Sequence, residues 1–223
     1  MADTIVDSKK QGGLLGKEDM KLLKDPLHSN NPLTIQVLGI CSALAVTGSV
    51  SKSLVMAVAL VFVCAASSLI ISLLRNSIPS SIRMIVQLLV IAGLVQIVEI
   101  VLGAYAYTAY VELSVFIGLI ITNCIVMGRL EAFAMGNNPK QAFLDGIGNG
   151  LGYGWVLVAM AVVRELFGKG TFMGWEIMNP LFALVGGQYT ANNLMVLPAS
   201  SLFVIGIFIW IQRTVDPELV DKS

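Results

Sequence analysis

Between Lys52 and Arg75 the chain runs for 22 residues without a charge. A helix needs roughly 20 mostly apolar residues to cross the apolar core of a bilayer, which is about 30 Å thick. Six segments approach that length, near 33–50, 53–74, 82–104, 112–130, 147–167 and 193–212. The third is bounded by Arg83 and interrupted late by Glu99, and the fourth lies between Glu112 and Arg129. With 56% hydrophobic and only 13% charged residues among 223, the chain is too apolar for an ordinary soluble domain. The expectation is an all-α integral membrane protein. Lys+Arg and Asp+Glu balance at 14 each and gather in short clusters, which excludes the basic footprint of a nucleic-acid binder.

Six spans place both termini on one side of the membrane, and positive charge selects the side. On the terminus side stand Lys9, Lys10, Lys17, Lys21, Lys24, Arg75, Arg83, Arg129, Lys140, Arg213 and Lys222; on the other, Lys52, Arg164 and Lys169. Both termini are therefore expected in the cytoplasm. Tyr105, Tyr107, Tyr110 and Trp175 fall near the outer interface and Trp210 near the inner one, as aromatic belts require. The first thirty residues hold five lysines and no apolar core of signal-peptide length. Residues 17–27 read either as a short helix on the membrane surface or as a disordered tail. His28 is expected in solvent, and Asn30, Asn31 and Pro32 as the start of the first span.

Divided after the third span, the chain yields two units of three helices, and an odd-numbered unit repeated in tandem is inverted in the membrane. The boundaries expected are a cytoplasmic segment over 1–31, a membrane domain over 32–213 with repeats of about 32–110 and 111–213, and a cytoplasmic tail over 214–223. The first helix of each unit carries a cysteine. Cys41 lies ~13 Å in from the cytoplasmic start of span one and Cys124 ~18 Å in from the outer start of span four, at 1.5 Å per residue. Both depths point to the midplane. Gly39, Ser42, Thr47, Gly48 and Ser49 surround the first thiol, and Thr122, Asn123 and Gly128 the second. Such residues suit either the broken helices of transporters or close helix packing.

The three cysteines, at 41, 64 and 124, show neither zinc-knuckle nor disulfide-framework spacing. A lone membrane cysteine behaves as a small hydrophobe, the reading given to Cys64. Cys41 and Cys124 differ in their matched depth, and two thiolates converging in a low-dielectric site need a cation. Iron-sulfur clusters take four thiolates, so a partner chain would complete the shell. A disulfide is the alternative, disfavoured by the cytosolic reductant pool. Gly146, Gly148, Gly150, Gly152 and Gly154 alternate like a dinucleotide loop but follow no strand; Gly148 with Gly152, and Gly150 with Gly154, instead make small-xxx-small faces. Glu99, Glu112, Asp145, Arg164 and Glu165 are expected at span ends, with Arg164 and Glu165 against neighbouring subunits. Thr122 and Asn123 lie deeper, orienting the Cys124 backbone or bonding across helices.

Gln36-Val-Leu-Gly-Ile-Cys-Ser-Ala-Leu-Ala-Val-Thr47, Ile120-Ile-Thr-Asn-Cys-Ile-Val-Met-Gly-Arg129, Glu131-Ala-Phe-Ala-Met135, Asp145-Gly-Ile-Gly-Asn-Gly-Leu-Gly-Tyr-Gly154 and Arg164-Glu-Leu-Phe-Gly168 together resemble the D subunits of the bacterial sodium-translocating NADH:quinone oxidoreductases, within the NqrDE/RnfAE family. The resemblance covers roughly residues 30–213. It implies six transmembrane helices as two inverted three-helix repeats, with broken half-helices at spans one and four, paired with the homologous E subunit about a pseudo-twofold axis. It implies that Cys41 and Cys124 are two of the four ligands of an intramembrane [2Fe-2S] cluster (iron) shared with that E subunit. It further implies the A, B, C and F subunits as partners, the bacterial inner membrane, and electron transfer across the bilayer coupled to sodium export, with no NADH, quinone or flavin site in this chain. Leu130 stands where the family suggests a small residue. The alternatives are the homologous subunit of an Rnf ferredoxin:NAD oxidoreductase, an inverted-repeat carrier or channel, or a structural assembly subunit.

Overall fold

The computed structural model describes residues 17–27, 31–105, 107–172, 175–176, 195 and 197–215. It is all-α apart from a two-residue antiparallel ladder, β1 (Thr171–Phe172) with β2 (Trp175–Glu176). Helix α1 (Lys17–Lys24) leads through a 3-10 turn (Asp25–Leu27) to a non-helical stretch and the short α2 (Ile40–Val46). Then come α3 (Val50–Leu74), α4 (Arg83–Tyr105), α5 (Tyr107–Ile121), the short α6 (Cys124–Arg129) ending in a π turn (Leu130–Ala134), α7 (Pro139–Lys169) and α8 (Ser200–Val215). Among the described residues, four helical stretches are long and apolar enough to cross a membrane: Val50–Leu74, Arg83–Tyr105, Phe116–Ala134 and Pro139–Gly168.

These four correspond to the second, third, fourth and fifth expected spans. The sixth is shortened to α8, with 193, 194 and 196 outside the described residues. The first is not a spanning helix: only Ile40–Val46 is helical. Asn31 does not open a long helix there, because its side-chain Oδ1 accepts from Leu33 N at 3.0 Å and caps one turn. Two left-handed residues then interrupt the path, Val37 at φ 57° and Gly39 at φ 77°. The fifth begins earlier than its apolar run suggests. Asn138 and Pro139 supply the start signal, and α7 ends on the left-handed Gly170.

The core lies between α3 and α7, which pack along most of their length. The reason is on α7: an added Cβ at Gly146 would lie 2.8 Å from Ala65 Cα and from Cys64 O, and one at Gly150 would lie 2.9 Å from Val61 Cα. Gly154 faces Ala57 in the same line. The other glycine face, Gly148 and Gly152, receives Leu22, Leu23 and Pro26 of α1 and its 3-10 turn. Residues 17–27 therefore pack on α7, neither tail nor independent surface helix. The glycine run is a two-sided helix-packing surface.

Two arginines tie the helices reciprocally. At the end of α3, Arg75 Nη1 donates to Asn137 O at 2.8 Å, in the turn leading into α7. Near the end of α7, Arg164 donates to Thr47 Oγ1 and to Leu44 O, at the turn leading into α3. Arg75 follows Val50 by the same 25 positions that separate Arg164 from Pro139. Outward faces carry Ile85, Leu89, Phe203 and Trp210, 67–76% exposed. Large apolar side chains displayed in this way suit lipid or protein neighbours, not water.

Gly146→Ala forces backbone against backbone and is expected to lower stability by about 1–3 kcal/mol. Gly93→Ala, whose Cβ meets nothing within 4 Å, is expected to be neutral or slightly stabilising. Thermal melting of the detergent-solubilised protein distinguishes the two.

Candidate metal centre

The two short helices carry the two thiols that the sequence pattern singles out. Cys41 is the second residue of α2 and Cys124 the first of α6. Each follows a break in the chain: left-handed Gly39 before α2, and extended Asn123, φ −70° and ψ 119°, before α6. Both cysteine side chains are exposed, although their neighbours Ser42, Ala43, Asn123, Ile125 and Val126 are buried. Cys64, on the α3 face against α7, is completely buried.

A compact set of hydrogen bonds joins the breaks. Ser42 Oγ and the Tyr153 hydroxyl are 2.7 Å apart. Both are within hydrogen-bonding distance of Gly39 O as donors, Ser42 Oγ at 2.9 Å and Tyr153 OH at 3.3 Å. Asn123 Nδ2 donates to Ser42 Oγ at 3.2 Å, while Asn123 Oδ1 accepts from Ile125 N at 3.2 Å and caps α6. Asn123 thus performs both roles open to it in the sequence, orienting the Cys124 turn and bonding across helices. Thr122 is exposed.

Gly39 is required at the centre of this junction. Its φ is left-handed, and an added Cβ would lie 2.9 Å from Ile125 Cδ1, 3.0 Å from Asn123 Oδ1 and 3.1 Å from Tyr153 Cε2. Tyr153 and Ser42 have roles here that the sequence pattern does not assign. The available signal was the phenol itself: a tyrosine hydroxyl within an apolar span has to find a partner.

The charged residues fall elsewhere. Arg164 and Glu165 do not reach toward neighbouring subunits: they are 3% and 4% exposed and serve this chain's own helix ends. Glu165 Oε2 accepts from Val50 N at 2.6 Å, capping α3, and Arg164 also donates to Leu197 O at 3.0 Å. Burial inside the helix pack leaves no route to the membrane surface, so backbone groups at helix ends become the partners. Asp145 is buried and paired with Arg129 through two bonds, with Asn149 Nδ2 adding a third at 2.9 Å. Glu99 accepts from Tyr110 at 3.3 Å; the Glu112 side chain and His28 lie outside the described residues.

The family described as Rnf-Nqr subunit, membrane protein, matches residues 20–209. The chain belongs to this family. It is 57% identical over 207 residues, 93% of this chain and 98% of the relative, to the D subunit of the Na(+)-translocating NADH-quinone reductase of Shewanella woodyi. It is 55% identical, with the same coverage, to the proteins of that name in Shewanella halifaxensis and Shewanella baltica.

Among the described residues, no three His, Cys, Asp or Glu side chains converge into a metal-binding cluster. Cys41 and Cys124 are soft donors of the type that iron-sulfur chemistry uses. Both sulfurs are exposed on the surface of this chain, which fits a group completed from a second chain.

Glu165→Leu removes the acceptor from the buried N-terminus of α3 and is expected to cost about 1–3 kcal/mol. Glu165→Gln, which keeps an acceptor oxygen, is expected to cost less; melting curves of the two variants measure the difference.

Proposed function

We propose that this chain serves as the D-type membrane subunit of a Na(+)-translocating NADH-quinone reductase, with Cys41 and Cys124 supplying two of the four thiolates of a [2Fe-2S] centre. The homologous E subunit would supply the other two, within a complex that also contains the A, B, C and F subunits in the bacterial inner membrane. The observation that carries this reading is the pair of exposed thiols, one at each helix break, joined through Ser42, Asn123 and Tyr153. Identity of 55–57% over nearly the full length of proteins bearing that name supports the complex. The reciprocal Arg75 and Arg164 contacts support two inverted three-helix halves.

Bound at the surface of this chain, such a group would provide a one-electron relay near mid-membrane, between cytoplasmic NADH oxidation and the opposite face. This chain's own task is to hold two sulfurs. Gly39 allows the two helix starts to approach, the Asn123 cap fixes the first turn of α6, and Ser42 ties the two together. The outward placement of both thiols leaves them free for a group that reaches a partner chain. Sodium export is coupled to the same electron flow in the assembled complex.

In the purified complex, Cys41→Ala and Cys124→Ala are each expected to abolish the iron-sulfur EPR signal of this centre, lower the iron content and reduce NADH-driven quinone reduction to background. Cys64→Ala should leave all three unchanged. Full iron stoichiometry in the Cys41→Ala, Cys124→Ala double variant overturns the ligand assignment. A carrier or channel reading predicts transport by this chain without the NADH-oxidising subunits. Reporter fusions at residues 1 and 223 are expected to report cytoplasmic locations for both.

A further inference from the structure

The junction between the two breaks draws its polar groups from four stretches of chain: Gly39 O before α2, Ser42 on α2, the Asn123 amide before α6 and the Tyr153 phenol on α7. Three of the four lie within two residues of a cysteine. Tyr153 does not, and it is the fully buried member that rides on the helix held tightest, between Gly152 against the 3-10 turn and Gly154 against Ala57.

A count of protons shows what the phenol adds. Asn123 gives one hydrogen to Ser42 Oγ, and the hydroxyls of Ser42 and Tyr153 carry one each. Whichever of the two donates to Gly39 O, the other bridges the 2.7 Å gap between them. The phenol is thus the group that joins Ser42 and Gly39 to α7. Removing the phenol oxygen leaves Ser42 linked to Gly39 and Asn123 but unconnected to α7. The aromatic ring, whose Cε2 closes against Gly39, would still fill its space.

We propose that the Tyr153 hydroxyl is a positioning group for the thiol pair: by anchoring Ser42 and Gly39 to α7, it sets the separation of the Cys41 and Cys124 sulfurs, and so tunes any metal they share. The metal part rests on the reading of the two thiols as ligands; the sulfur separation does not. Tyr153→Phe separates the hydroxyl from the ring.

The test uses the assembled complex in a Cys64→Ser background with two readouts. In complex stripped of iron by a chelator, bridging of Cys41 to Cys124 by a short bifunctional maleimide is expected to be about fivefold slower in Tyr153→Phe, the change in population that one hydrogen bond of ordinary net strength sustains. In iron-replete complex, Tyr153→Phe is expected to keep the metal while shifting the midpoint potential and the EPR line shape. A bridging rate equal to that of the parent overturns the proposal, and an unchanged midpoint beside a slowed bridging rate overturns its metal part. Should Tyr153→Phe fail to assemble, Ser42→Ala breaks the path from the phenol through Ser42 to Asn123 while leaving Tyr153 on Gly39 O, and an unchanged bridging rate there overturns the proposal equally. Iron retained in Cys41→Ala would overturn the ligand reading alone, because the bridging rate would still report sulfur geometry.

Discussion

Backbone that leaves a helix inside an apolar layer must find its hydrogen-bond partners within the protein, because lipid offers none. Among the described residues the chain breaks in this way over Asn31–Gly39 and at Thr122–Asn123, and the surrounding structure satisfies both breaks. Asn31 caps one turn with its oxygen and donates its amide nitrogen to Gly152 O at 2.9 Å. Asn123 does the corresponding work before α6. Each asparagine also reaches outside its own segment, so the breaks are fastened to the helix pack as well as internally satisfied. An asparagine in hydrocarbon is destabilising when isolated, and here each satisfies backbone groups whose exposure to lipid would be worse.

Such local repairs need a frame that does not yield, and the α3–α7 pair provides it. Glycines at 146, 150 and 154 bring α7 onto the α3 backbone, and those at 148 and 152 admit α1 from the other side. Small residues increase dispersion contact between helices, which is valuable in lipid where no hydrophobic effect drives association. Charged side chains reinforce the frame. Arg129 with Asp145 joins α6 to α7, Arg164 and Glu165 hold the turn between α2 and α3, and Arg75 holds the turn before α7. Breaking one partner of a buried pair such as Arg129–Asp145 costs about 3–5 kcal/mol.

Hydropathy made α3 and α4 legible within a few residues, because their apolar runs are continuous and their ends are marked by Lys52, Arg75 and Arg83. It failed at the first span, where residues 33–50 are as apolar as a helix yet largely unwound. Hydropathy averages over conformation; the positive φ of Val37 and Gly39 does not enter it. It also placed the start of α7 late, because Asp145 and Asn149 lower the apolar signal there although Asp145 pairs with Arg129 and the Asn149 amide nitrogen donates to Asp145 inside the fold. At the site, Cys41 and Cys124 stood out through matched depth, and Asn123 through its polarity. Tyr153 and Ser42 did not, since their meeting depends on a contact across 111 positions that no local pattern carries. Arg164 and Glu165 were misread for the same reason: span ends in sequence can be interior in space.

The fold also resolves what three cysteines in similar apolar settings could not reveal by composition. Cys64 sits where its backbone carbonyl touches the Gly146 position, wholly enclosed; a small, weakly polar side chain is what that close helix contact admits. The other two occupy first turns after breaks, and the breaks are what turn them outward. The irregular backbone and the exposed thiols are one feature: the left-handed turn at Gly39 and the cap supplied by Asn123 open the two short helices whose first turns expose Cys41 and Cys124.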